Sequence, residues 1–104
     1  MKRLVLTAQA VDDLDDIHEA VLQASGSDDV ADHFVDEIEA HCLRIAQLPG
    51  LLGRPRPEFG HDLRSLPHDN YLIFLRYRAA DVLEVVTVVY AARDLDAYFD
   101  ESPD

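Results

Sequence analysis

The chain is short of several things, and each shortage closes off a class of function. Cys42 is its single cysteine among 104 residues. No internal disulfide can form, which suits a reducing compartment. Lysine occurs once, at Lys2, so the C-terminal half holds no lysine base and no phosphate-loop lysine. Tryptophan is absent and glycine occurs four times, with no glycine-rich phosphate-binding loop. No apolar run approaches the roughly 20 residues that span a bilayer. The first residues, Met1-Lys2-Arg3-Leu4-Val5-Leu6, start like a signal peptide. Asp12, Asp13, Asp15 and Asp16 then fall where an apolar core should continue. A cytoplasmic protein with no membrane association is expected.

Acid is in excess. Twenty-one acidic residues face nine basic ones, for a net charge of −12. The imbalance is uneven along the chain. Residues 1–50 carry three bases against eleven acids, whereas residues 54–78 carry five arginines against three acids. Such a surface favours solubility and repels nucleic acid at long range, so direct nucleic-acid binding is not expected. The acids read as a solvated helix face.

A hydrophobic fraction of 48% fits an ordinary folded chain. Its length suits one domain spanning 1–104. Arg3-Leu4-Val5-Leu6 reads as a short strand. Val11, Leu14, Ile17, Val21 and Leu22 recur at helical spacing, and the acids Asp12 and Asp13 lie near the start of that helix. Ser25-Gly26-Ser27 ends it. Ala31, Phe34, Val35, Ile38, Cys42, Ile45 and Ala46 form a longer stripe running to Leu48, where Pro49-Gly50 stops it. Cys42 lies on that stripe and reads as a small buried hydrophobe. Residues 49–60 form a proline- and glycine-rich loop. Strands follow at 62–66, 71–78 and 82–90, separated by turns at Pro67-His68-Asp69-Asn70 and at Ala79-Ala80-Asp81. The last strand is dense in valine and should be central. A short helical or irregular tail begins at Asp94.

The expected fold class is therefore α+β in the order β-α-α-β-β-β. A helical hairpin packs on one face of a small, mainly antiparallel sheet, with the first strand at its edge. The opposite face is left apolar and should curl or accept a partner. The five histidines, His18, His33, His41, His61 and His68, show no ligand spacing, so neither metal nor cofactor is expected.

Several stretches together resemble the ParE branch of the ParE/RelE toxin superfamily. They are Leu48-Pro49, Gly53-Arg54-Pro55-Arg56-Pro57-Glu58, Leu63-Arg64-Ser65, Tyr71-Leu72-Ile73-Phe74 with Arg76, and Ala92-Arg93-Asp94-Leu95. The first half is also similar in the spacing of Ala10, Asp13, Leu14, Ile17, Ala31 and Phe34. Leu75 stands where ParE-like chains often carry tyrosine, and Tyr90 where many relatives carry histidine. The resemblance implies the toxin of a bacterial type II toxin–antitoxin system. Such a toxin would poison DNA gyrase by protein binding, without catalysis of its own, and a cognate ParD-like antitoxin would neutralise it.

Two alternatives stand beside that reading. One is a RelE-like ribosome-dependent endoribonuclease, for which the resemblance offers Arg64, Arg76, Arg93 and Tyr98. The other is a non-toxic relative that only binds an antitoxin. Partner-binding candidates are Arg54, Arg56, Arg64, Arg76, Arg93, Asp94 and Tyr98, with the loop 53–58 and the segment 93–101 as contact surfaces. Structural readings compete with these. Arg76 and Arg78 can pair with Glu84 across the hairpin, and Arg93 can pair with Asp94.

Overall fold

A computed structural model describes residues 2–79 and 81–100. Its elements run β1 (Arg3–Leu6), α1 (Ala8–Ser25), α2 (Asp28–Gln47), β2 (Arg54–Pro55), β3 (Arg64–His68), β4 (Tyr71–Arg78), β5 (Val82–Tyr90) and α3 (Leu95–Asp100). The strands form one sheet in the order β1-β5-β4-β3-β2. Only the β1–β5 pair is parallel, and the other three are antiparallel. The β-α-α-β-β-β order holds, with one added strand of two residues, β2. Ala80 of the expected second turn and Glu101 of the expected contact segment lie outside the described residues.

The helical hairpin is punctuated by its caps. Thr7 keeps extended backbone, and its hydroxyl accepts from the Ala10 N–H at 3.0 Å. Gly26 takes the left-handed conformation with φ 71°, and its N–H closes α1 onto the Leu22 carbonyl at 2.8 Å. Ser27 then caps α2 by accepting from the Val30 N–H at 3.2 Å. One expectation needs correction. The apolar stripe begins at Val11, but α1 begins at Ala8, so its first turn holds no acid. Asp12 and Asp13 therefore sit too far along to meet the helix dipole. In α2, Asp28 and Asp29 do occupy that place.

Strand alternation sorts β4. Tyr71, Ile73, Leu75 and Tyr77 pack towards the helices, and Leu72, Phe74, Arg76 and Arg78 alternate with them. In β5 the register steps from Thr87↔Phe74 to Val85↔Leu75, leaving Val86 without a partner. That bulge inverts the alternation. Leu83 and Val85 pack towards the helices before it, and Val88 does so after it.

Two clusters fill the space between sheet and hairpin. Ala10, Leu14, Ile17, Ile38, Cys42, Ile73, Val85 and Val88 make the larger, and Ala46, Leu75 and Leu83 the smaller. A third cluster lies on the opposite face, where Leu63, Phe74 and Val89 are covered by Phe59, Leu95, Tyr98 and Phe99. The face expected to stay open is thus closed by the chain's own loop and by α3.

The β3–β4 turn is also tighter than expected. Pro67 and His68 belong to β3, and only Asp69 and Asn70 turn, with Asp69 at φ 50°. A proline is tolerated here because β2 pairs only with Arg64 and Ser65. The outer edge of β3 at Pro67 has no ladder partner for its missing N–H to disrupt.

Candidate functional site

The sheet face away from the hairpin collects arginines around an aromatic centre. Phe59 stacks on Phe99 with centroids 4.7 Å apart, and Phe99 meets Phe74 edge-on at 4.9 Å. Arg56 borders this centre. Its Nε donates to the Ser65 hydroxyl at 2.9 Å, and its guanidinium lies 5.8 Å from the Phe59 centroid. The Glu58 carboxylate is 3.6 Å from the same guanidinium.

Arg76 donates from Nε to the His61 carbonyl at 3.2 Å, with a second nitrogen 3.9 Å from Glu84. Arg78 donates to the same Glu84 carboxylate at 3.0 Å. Both arginines therefore meet Glu84 across the β4–β5 ladder, where register pairs Arg76 with Glu84. Arg93 does not pair with Asp94. Its guanidinium lies 4.5 Å from the Tyr98 ring centroid, and the Asp94 carboxylate instead accepts from the Ala97 N–H at 3.2 Å, starting α3.

Tyr98 is tied down through its hydroxyl. The Thr87 hydroxyl donates to the Asp13 carboxylate, which also accepts from the Val88 N–H at 3.0 Å. Thr87 has one proton to give. The Tyr98 hydroxyl, 2.7 Å away, must therefore donate to Thr87. The chain Tyr98–Thr87–Asp13 links α3, β5 and α1.

Its origin is the length of β1. That strand ends at Leu6 opposite Val85, so the edge of β5 beyond has no strand beside it. Side chains of α1 and its cap take over, with the Thr7 hydroxyl donating to the Val86 carbonyl at 2.6 Å and Asp13 serving Val88. Asp13 was legible as an acid near the start of the helix and as part of the Ala10, Asp13, Leu14 and Ile17 spacing, with no role attached. That spacing, three residues after Ala10 and four before Ile17, places it beside the buried stripe.

The remaining candidates lie elsewhere. Arg54 is exposed on β2. Arg64 alternates to the other side of β3 from Ser65 and donates to the Gly53 carbonyl at 3.0 Å. It lines a pocket of about 680 Å³ with Leu51, Pro55, Leu63 and Tyr77. Gly53 is needed there. Its φ is 92°, and an added Cβ would stand 3.1 Å from the Ser65 carbonyl. Of the four residues suggested for RNA cleavage, only Arg93 and Tyr98 touch. Arg76 is held by Glu84 and the His61 carbonyl, and Arg64 faces the pocket.

Burial sets the remaining chemistry. Cys42 is buried, and its thiol is pushed up to about 11 by burial and then by the Glu39 charge. At neutral pH that thiol is protonated and inert. Tyr71 is raised by burial and by neighbouring Tyr90. Among the described residues no group of three or more histidine, cysteine or carboxylate side chains could hold a metal ion. No described helix is long and apolar enough to cross a membrane.

A family model described as the ParE toxin of the type II toxin–antitoxin system parDE matches residues 4–95. Among solved structures, one from the "Chromosomal ParDE TA system from P. aeruginosa" superposes with a TM-score of 0.75 at 20% identity. The match covers 86% of this chain and 96% of that one, and at this identity it bears on the fold. No curated protein matches the chain.

Proposed function

Since the chain belongs to the ParE toxin family of type II toxin–antitoxin systems, we propose that it acts by gripping a protein target, DNA gyrase, and that a cognate antitoxin neutralises it. The observation that carries this reading is the basic, aromatic sheet face. Arg56, Arg76 and Arg93 lie with the layer of Phe59, Tyr98 and Phe99 that covers the buried Phe74, each guanidinium held by a local partner. Arginines and aromatics held in fixed orientations are the usual anchors of a protein interface. Catalysis on phosphate would instead need cationic groups and an acid–base pair converging on one point. The separation of Arg64 from Arg93 and Tyr98 weighs against that arrangement. The net charge of −12 also opposes the counterion-release energy of binding ribosomal RNA.

The antitoxin belongs to the proposal through charge and family. A neutralising segment that carries acid would be drawn to the same arginines and would cover the surface the target needs.

The test is expression from a tightly controlled promoter in bacteria, with growth, DNA-damage response and bulk translation followed together. Growth arrest with an induced damage response is expected. Arg93→Ala should weaken the arrest by about tenfold or more, the effect of losing an interface anchor worth ~1.4 kcal/mol or above, while antitoxin binding persists through Arg56 and Arg76. Early loss of translation would transfer the protein to the ribonuclease reading. Confirmed expression without arrest would leave only an antitoxin-binding relative.

A further inference from the structure

His41 and His68 are 27 residues apart in sequence, yet their Nδ1 atoms lie 3.0 Å from each other. His41 is on α2 and His68 ends β3, so this contact bridges the helical hairpin and the β3–β4 turn. The Phe34 ring meets His68 edge-on at 6.1 Å and Tyr71 at 5.8 Å, closing the seam around the pair. A neutral imidazole has one N–H, so one ring donates and the other accepts. His68 Nε2 is buried without a hydrogen-bond partner. A buried N–H with no acceptor is costly. The hydrogen bonding therefore assigns the shared proton to His68 Nδ1, donating to His41 Nδ1, with the single His41 proton on Nε2.

That arrangement can take a first extra proton only at the buried His68 Nε2, which leaves the shared hydrogen bond in place, or at His41 Nδ1, which does not. Protonating His41 sets N–H against N–H, unless His68 shifts its proton to Nε2. The group facing Nε2 is the Asp69 carboxylate, 3.8 Å away and beyond hydrogen-bond reach. On α2, Arg44 adds a further positive charge beside His41. Tyr71 on β4 is held neutral by burial. We propose that the His41–His68 pair is a proton-sensitive clasp, fastening α2 to the β3–β4 hairpin while His41 Nδ1 is free to accept and releasing it when acid protonates His41.

The sign follows from linkage. His41 is lowered from 6.5 by burial, then by His68, then by Arg44. A group depressed in the folded state binds its proton more readily in the unfolded chain. Its contribution to stability is full above the unfolded value and is lost as pH falls through the depressed folded value. His18, His33 and His61 lie beside Asp32, Glu37 and Asp62 respectively, away from the pair. Those contacts are common to any pair of variants compared at His41.

The experiment is urea unfolding of the full chain at several pH values from 8 to 5, for the native sequence and for His41→Asn. Asparagine can place an acceptor near the former Nδ1 and does not titrate. NMR of the imidazole nitrogens runs alongside. The native chain should lose stability on acidification, and His41→Asn should show that loss reduced by about half or more, after the single group is removed. The His41 nitrogens should titrate at a midpoint below the ordinary histidine value, and the His68 Nδ1 signal should change with them as its hydrogen bond to His41 is lost. An identical pH dependence in the two proteins, or two independent ordinary titrations, would overturn the clasp. The NMR titration needs only the native chain, so it decides the matter even if the variant does not fold.

Discussion

Asp13 shows how much one carboxylate can hold. It sits among the acids of α1, yet it accepts from both the Val88 N–H and the Thr87 hydroxyl. Removing it strands the Val88 N–H on a buried strand and leaves the Thr87 hydroxyl with Tyr98 alone. Asp13→Ala should therefore cost about 1–3 kcal/mol in urea unfolding, and Asp13→Asn less, since its amide oxygen can still accept from Val88. Neighbouring Asp12 is exposed, and Asp12→Ala should be near neutral. Equal effects at the two positions would show that the Asp13 contacts contribute nothing. Composition marks both residues as acid on a helix. Spacing puts Asp13 beside the buried stripe, and the bulge at Val86 with the early end of β1 gives it donors to accept from.

At the scale of the element, α2 is the clearest case of pattern becoming packing. Ala31, Ile38, Cys42 and Ala46, all on its stripe, are buried. Phe34, Val35 and Ile45 are half-buried at its margins. Ile38 is 1% exposed, so Ile38→Ala should cost about 2–5 kcal/mol. Phe34 lies along the seam with His68 and Tyr71, and Phe34→Ala should cost less than its larger volume suggests. The order of the two losses, read from denaturation midpoints at constant m, checks that placement. A larger loss at Phe34 would mean that the stripe is rotated. Element α3 was legible only as a tail from Asp94. Six residues carry too little periodicity to declare which face they cover, and Leu95, Tyr98 and Phe99 acquire a role only against Phe59 and Phe74.

For the whole molecule, folding converts an uneven sequence into a layered charge distribution. All eleven acids of residues 1–50 lie on α1 and α2, whereas Arg56, Arg76, Arg78 and Arg93 lie with the far face of the sheet. The acidic hairpin repels itself, and salt screens that repulsion within a Debye length of about 10 Å at 0.1 M. Thermal stability should rise as salt is added from low ionic strength. A gain of ~1 kcal/mol would lift the melting temperature by roughly 4–8 °C. A fall in melting temperature would mean that the arginine–glutamate contacts outweigh the repulsion.

Local chemistry was enough to set the helical hairpin, its caps at Gly26 and Ser27, the β4–β5 pair and the buried stripe of α2. Each depends on spacing or backbone preference within a few residues of chain. Tertiary structure alone decided the closure of the second sheet face by α3, the Asp13–Thr87–Tyr98 link, the separation of Arg64 from Arg93, and the meeting of His41 with His68. Those contacts join residues 11 to 74 positions apart, and no local periodicity encodes a distance that only the folded sheet brings about.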